Sequence, residues 1–229
     1  VPIIELKKKE DRLGGAANVA LNLLALGAKP ILCAIIGNDD GGKSFLNLLE
    51  NRNLSSAGIV QDELRKTTIK TRVIGDSQHL LRIDEEEIGA ISEGQENAII
   101  SKVESLIGSG LDAIILEDYN KGLLTPRVIK TVIEMANNSG VIITVDPKRD
   151  NFFEYKGVTL FKPNLKELKE GLNVEFDFEK GKEKFEEAID LLEAKLNNKM
   201  TFVTLSEHGV FIKCSDDPQT LYQEISSKL

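Results

Sequence analysis

Apolar runs of strand length alternate along this chain with stretches whose apolar residues recur at helical spacing. That is the pattern of an α/β fold built on a mainly parallel sheet. Five runs read as strands: Ile31 to Ile36, Leu111 to Leu116, Val141 to Val145, Val158 to Phe161 and Met200 to Leu205. Their Ile, Val and Leu content fits strands covered on both faces. Helices are predicted by stripes at Ala16, Val19, Ala20 and Leu23, at Ile99, Val103, Leu106 and Ile107, at Val128, Ile129, Val132 and Ala136, and at Phe185, Ala188, Ile189, Leu192 and Leu196.

Two stretches break the rhythm. Val1 to Leu6 and Thr67 to Ile83 are strand-like without an intervening helix, and the second alternates apolar with polar residues through Ile69 to Ile74, then resumes at Leu80 after Gly75-Asp76. This predicts a small accessory β-sheet, with a hairpin that has one wet face, placed as a lid over a cleft. The accessory strands, near 1–6 and 67–83, read as insertions in one domain spanning 1–229. With 229 residues, 41% of them hydrophobic, the chain has material for one substantial core rather than two.

A net charge of −8 argues against nucleic acid or an anionic membrane as partner. No run of about 20 apolar residues is present, and Val1 to Leu6 is followed at once by Lys7-Lys8-Lys9-Glu10, unlike a secretory leader. The expected location is cytoplasmic. Cys33 and Cys214 are the only cysteines, which argues against a disulfide framework or a cysteine metal site and predicts buried thiols.

Candidate chemistry lies at the junctions between elements. Gly14-Gly15-Ala16-Ala17-Asn18 opens an apolar helix, and Gly37-Asn38-Asp39-Asp40-Gly41-Gly42 follows the next strand. Glycines admit a ligand close to the backbone, and helix starts present N–H groups without intrahelical partners, so a sugar or phosphate suits both. Gly14-Gly15-Ala16-Ala17-Asn18 does not match the Gly-x-Gly-x-x-Gly of dinucleotide-binding folds. Farther on, Asp118 and Lys121 follow one strand, and Asp146 and Lys148 follow the next. Two acid and lysine pairs at successive strand ends point to a polar pocket rather than to surface ion pairs.

Asn164-Leu165-Lys166-Glu167 has two readings: a helix cap with a capping box, or an amide for phosphate oxygens beside a carboxylate that orders hydrated Mg²⁺. Ser206-Glu207-His208-Gly209 likewise reads as a hairpin turn or as a phosphate contact. Lys70, Arg72 and Arg82 form either the solvent side of the hairpin or a cationic patch above the site. His79 and His208 have no partner at metal-ligand spacing.

Taken in order, these segments resemble the ribokinase-type, or phosphofructokinase-B, family of carbohydrate kinases. Resemblance is closest to the kinases of D-glycero-β-D-manno-heptose 7-phosphate, through Thr68 to Ile74, Gln78 to Asp84, Asp118 to Gly122, Asp146-Pro147-Lys148 and Pro163 to Glu167. It implies a three-layer α/β sandwich with a mainly parallel sheet and a small β-sheet lid. It also implies transfer of the ATP γ-phosphoryl group to the anomeric hydroxyl of the heptose 7-phosphate, with Mg²⁺, in a homodimer joined through the lid.

Residue by residue, the resemblance implies that Gly14, Gly15 and Asn18 hold sugar hydroxyls, with Asp39 ordering the second glycine loop. Lys70, Arg72 and Arg82 would take the sugar's phosphate, and Asp118 and Lys121 also contact substrate. Asp146, Lys148, Asn164 and Glu167 would serve the nucleotide, Glu167 reaching the metal through water. Ser206, Glu207 and Gly209 would border ATP. The family's opening strand with a substrate-binding Asp and its Gly-Ala-Gly-Asp segment, source of the catalytic base, have no counterpart here. The expectation is a chain incomplete at both ends, with little kinase activity from these residues alone. Another sugar or nucleoside kinase, or a non-catalytic sugar-binding protein, are the alternative readings.

Overall fold

The computed structural model describes residues 5–75, 78–215 and 217–223, the last stretch for its backbone alone. The chain divides into two compact units, Val1–Glu87 and Ile88–Leu229.

In the first unit, helix α1 (Ala16–Ala25), strand β1 (Ala34–Gly37), helix α2 (Asp40–Asn51) and strand β2 (Ile59–Asp62) follow in order. β1 and β2 pair in parallel, Ala34 opposite Ile59. Ala20, Ile36, Leu49, Leu54 and Ile59 form the core, with Leu24, Phe45 and Leu46 packed on it. α2 and β2 are additions to the predicted pattern. The Gly37–Gly42 stretch reads as a loop, yet Asp39 caps a helix that begins at Asp40, its side chain accepting from the Gly42 amide. Gly42 belongs there because the helix starts against β1: a Cβ would run into the Gly37 carbonyl oxygen. At its other end Asn53 takes φ 55°, and Leu54 N–H returns to the Leu49 carbonyl (3.0 Å), a left-handed stop that seats Leu54 on the core.

Strands β3 (Ile69–Gly75) and β4 (Gln78–Glu85) form the expected antiparallel hairpin. Its register breaks between Val73, opposite Leu81, and Ile74, opposite His79, so Leu80 is the extra residue of a bulge. The single wet face is a correction. Ile74, Leu80, Leu81 and Ile83 are 46–59% exposed and every residue of β4 is exposed, as expected of a two-stranded ribbon with both faces open. Of the other accessory stretch, residues 1–4 lie outside the described residues, and Glu5 and Leu6 are in no strand.

The second unit holds a six-stranded sheet in the order β10-β9-β8-β7-β6-β5. Its strands are β5 (Ala113–Glu117), β6 (Ile142–Asp146), β7 (Leu160–Phe161), β8 (Met200–Thr204), β9 (Val210–Cys214) and β10 (Asp217–Gln223). β5 to β8 are parallel, whereas β9 and β10 are antiparallel additions. Helices α3 (Glu93–Gly108), α4 (Pro126–Asn138), α5 (Leu165–Leu172) and α6 (Lys182–Leu196) accompany it. α4 buries Val128, Ile129, Val132, Ile133 and Ala136; α6 buries Phe185, Ala188, Ile189, Leu192 and Leu196. Both stripes follow the predicted period. Edge-to-face rings tie α6 to the sheet, Phe185 lying 4.9 Å from Phe211 between centroids.

Full coverage of the parallel strands is corrected: on the edge strand β5 and its neighbour β6, Ile115 and Ile142 are 41% and 52% exposed. Cys33 and Cys214 are half-buried, not buried, and neither forms a disulfide. No helix among the described residues is long and apolar enough to cross a membrane.

Candidate functional site

Each unit presents its own group of polar residues. In the first, Gly15 caps α1 at φ 55° and ψ −136° without any side-chain hydrogen bond. Only glycine adopts such a backbone cheaply. A Cβ at Gly14 would meet nothing within 4 Å, so packing within the protein does not demand glycine there. Asn18 stands exposed on the first turn, its backbone N–H donating to the Gly15 carbonyl.

Asp39 is more firmly fixed. One oxygen accepts from Gly42 N–H (2.7 Å) and from the Thr67 hydroxyl (2.7 Å), the other from Thr67 N–H (2.9 Å). The Thr67 backbone bond, with the Thr67 hydroxyl and Gly42 amide, outweighs burial and holds the carboxyl below its ordinary pKa. Thr67, which accepts in turn from Gly37 N–H (2.9 Å), was not singled out in the sequence. Its hydroxyl residue type at the foot of the hairpin was the only signal.

The hairpin cations prove unequal. Lys70 is held by Glu86 (2.9 Å) and Asp84 (3.1 Å), and Asp84 also pairs with Arg82 (3.1 Å). Hydrogen bonds that Lys70 donates to Glu86 and then to Asp84 raise its pKa. Arg72 lies directly opposite Arg82 in register, an arrangement of like charges that an anion would relieve. An open hollow of about 370 Å³ lies beside Arg72, His79, Leu80, Leu81 and Arg82.

In the second unit, the C-terminal ends of the parallel strands gather the predicted acids and lysines, the place where open α/β sheets bind ligands. Glu117 and Asp146 end β5 and β6 as register partners. Lys162, one residue past β7, reaches Asp146 (3.0 Å), and Lys148 pairs with Glu167. Burial, then the charge of Asp146, pushes the Glu117 carboxyl above its ordinary pKa. Burial works against the Lys148 ammonium, but the Glu167 hydrogen bond and charge, aided by Asp146, hold its pKa above the usual lysine value. Glu117 and Lys162 were missed as members of this group, although each stands beside a predicted strand end.

Asn164 caps α5 with a complete capping box: its side chain accepts from Glu167 N–H (2.8 Å), while Glu167 accepts from Asn164 N–H (2.9 Å). One oxygen of Glu167 serves the cap and the other faces Lys148. A single isolated bridge joins Asn164 to Thr204 at the end of β8. The next turn, with Ser206 at φ 53°, Glu207, and Gly209 at φ 86°, closes the β8/β9 hairpin through a Leu205 N–H bond to Gly209 (2.8 Å).

Asp118 is 4% exposed. Its carboxylate accepts from the buried Tyr155 hydroxyl (2.6 Å), from the Asn151 amide (3.1 Å) and from Asn120 N–H (2.8 Å). Asp118 therefore organises the loop that carries Lys121. Asn120 and Gly122 take φ 51° and 75° there, and Gly122 packs so tightly on Gly89 that a Cβ would collide with its carbonyl oxygen.

No group of three or more His, Cys, Asp or Glu residues among the described residues forms a metal cage. Of the predicted site residues, Glu167 offers a carboxylate of fixed orientation, the donor type that a hydrated Mg²⁺ takes.

The chain matches the pfkB family of carbohydrate kinases over residues 3–225. It is 37% identical over 227 residues to bifunctional protein HldE of Wolinella succinogenes, covering 98% of this chain and 47% of that protein. To the protein of the same name from Helicobacter acinonychis it is 38% identical over 210 residues, covering 92% of this chain and 44% of that one. The chain thus spans about half the length of these curated relatives. Among solved structures, phosphofructokinase-2 from Escherichia coli in complex with fructose-6-phosphate aligns with a TM-score of 0.70 at 17% identity, over 92% of this chain and 67% of that one. Arabidopsis thaliana ribokinase complexed with ribose and ATP aligns at 0.71 and 16%, over 98% and 70%. These likenesses bear out the ribokinase-like α/β fold, and the chain belongs to the pfkB family of carbohydrate kinases.

Proposed function

We propose that the protein carrying this chain is an ATP-dependent kinase of D-glycero-β-D-manno-heptose 7-phosphate. It phosphorylates the anomeric hydroxyl to give the 1,7-bisphosphate, for ADP-heptose and lipopolysaccharide synthesis in the cytoplasm. The observation that carries the reading is the 37% identity across 98% of the chain to a protein named HldE. The segments from Thr68 to Glu167 that resemble heptose kinases support it.

In this reading Gly14, Gly15 and Asn18 bind sugar hydroxyls near the ordered start of α2 at Asp39. Arg72 and Arg82, with Lys70, take the sugar's phosphate, which would settle the facing arginines. Lys121 contacts substrate from the loop fixed by Asp118. Asp146, Lys148 and Asn164 serve the ATP phosphates, Glu167 orders water on Mg²⁺, and Ser206, Glu207 and Gly209 border the nucleotide. Mg²⁺ supplies charge neutralisation to the transferring phosphoryl group; the protein's share is alignment and matching charge. The exposed Ile74, Leu80, Leu81 and Ile83 supply apolar surface for a homodimer through the hairpin.

The test is ADP release by the full-length protein with heptose 7-phosphate and with unphosphorylated sugars. Preference for the phosphorylated heptose is expected. Equal rates reject the heptose assignment, and no ADP release with any sugar rejects the kinase.

A further inference from the structure

Lys148 and Glu167 lie 19 residues apart in sequence, yet their side chains meet at the ends of β6 and α5. The Glu167 side chain is 11% exposed and that of Lys148 39%, so the carboxylate is the buried partner and the ammonium is the one that solvent reaches. Glu167 is also locked in orientation, because its other oxygen is engaged by Asn164 N–H. The lysine hydrogen-bonds Glu167, with the charge of Asp146 adding to the attraction, and its four-carbon stem leaves the ammonium free to swing outward. Pulling it away without replacement would leave a carboxylate buried and uncompensated, which is far more costly than breaking a surface pair.

We propose that Glu167 and the nucleotide polyphosphate compete for Lys148: the ammonium is stored on Glu167 in the ligand-free protein and passes to the phosphates when nucleotide and Mg²⁺ enter together. This rests on the kinase reading and assigns Lys148 an exchange role within it. ATP without a divalent cation must take Lys148 from Glu167 and strand the carboxylate. ATP with Mg²⁺ brings a positive charge whose water shell the carboxylate can bond instead. Lys148 thereby links nucleotide affinity to the divalent cation, although Lys148 itself touches no metal.

The experiment is calorimetric ATP binding to the full-length protein, in Mg²⁺ and in EDTA, for wild type, Glu167→Gln, Lys148→Met and the double variant. Glutamine retains the capping-box oxygen, and thermal unfolding of each variant verifies the fold. Glu167→Gln is expected to tighten binding of Mg²⁺-free ATP by about tenfold, because the lysine is released at no cost. The same substitution in the Lys148→Met background is expected to give no gain, since no lysine remains to be released. A gain that persists at full size without Lys148 reveals simple repulsion between Glu167 and phosphate and overturns the exchange. So does the absence of any gain in the wild-type background. Wild-type protein that binds no ATP even with Mg²⁺ refutes the nucleotide reading itself, an outcome distinct from either.

Discussion

Substituting Asp39 separates the helix cap from the charge it carries. Asp39→Ala removes the side chain that caps α2, worth about 1 kcal/mol. It also strands Thr67 N–H, on a residue only 7% exposed, at about 1–3 kcal/mol for an unsatisfied buried donor. The sum is about 2–4 kcal/mol. Asp39→Asn keeps an oxygen for Gly42 N–H and the Thr67 hydroxyl but turns an NH₂ group toward Thr67 N–H, so it costs about 1–3 kcal/mol.

The pH dependence follows in sign from the lowered pKa. A depressed folded-state pKa means that the charge stabilises the fold fully above the ordinary carboxylate pKa of about 4, and that this stabilisation disappears as pH falls through the folded value. Wild type should therefore exceed Asp39→Asn by its full margin at pH 7 and at pH 5, with the margin shrinking below pH 4. Urea unfolding by circular dichroism at each pH gives the margin, and amide exchange at Gly42 reports whether α2 opens first. A difference below about 0.5 kcal/mol at pH 7, or one that stays constant down to pH 3, would refute the account of Asp39 as a charged cap.

Four further variants have expected outcomes. Tyr155→Phe deletes a hydroxyl bonded to the buried Asp118 and should cost about 2 kcal/mol, the range for a bond to a charged group; an unchanged melting temperature would show that Asp118 is held by Asn151 and Asn120 alone. Gly122→Ala, at φ 75° against the Gly89 carbonyl, should destabilise by at least about 2 kcal/mol, whereas Gly14→Ala should lie within about 0.5 kcal/mol of wild type yet weaken sugar binding, both read from thermal melts with and without sugar. Glu117→Gln should stabilise by up to about 1 kcal/mol at pH 8, because the raised folded-state pKa makes ionisation of Glu117 oppose folding as pH rises through it; the gain should vanish near pH 4, and a gain that persists there contradicts the assignment.

Periodicity made most of the second unit legible. The stripes on α4 and α6 bury the residues their spacing selects, because a helix face against a sheet demands that period. α2 escaped for a local reason. Its first turn is Asp40-Gly41-Gly42, turn-like in composition, and what turns it into a helix is the Asp39 cap together with close approach to β1. β2, with only four residues, is a strand through its pairing with β1. Partnerships were the other blind spot. Asp118 reads from the sequence as a substrate contact, and the structure adds a phenol bonded to it from 37 residues away; Lys70 reads as a positive charge for a ligand, and in the structure Asp84 and Glu86 already pair with that charge. Motif spacing indicates which residues share a loop, but long-range contacts decide which charges are already matched.

For Asn164 and Glu167 the two readings of the sequence are not rivals. The capping box fixes the Glu167 rotamer by using one oxygen on Asn164 N–H, and that constraint points the other oxygen at Lys148. A carboxylate on a long, unrestrained side chain would lose rotamer freedom each time it bound a cation or a hydrated metal. One whose orientation is already set by a backbone bond loses far less, which is the advantage of preorganisation. The local structural role thus provides the geometry that the proposed chemical role requires. The same logic applies to Asp118, whose bonds to Tyr155, Asn151 and Asn120 anchor the loop that carries Lys121 and in which Asn120 and Gly122 take left-handed conformations. On the proposed contact of Lys121 with substrate, removing the Tyr155 hydroxyl should change substrate affinity as well as stability. A Tyr155→Phe variant with lowered stability but unaltered affinity would separate the two.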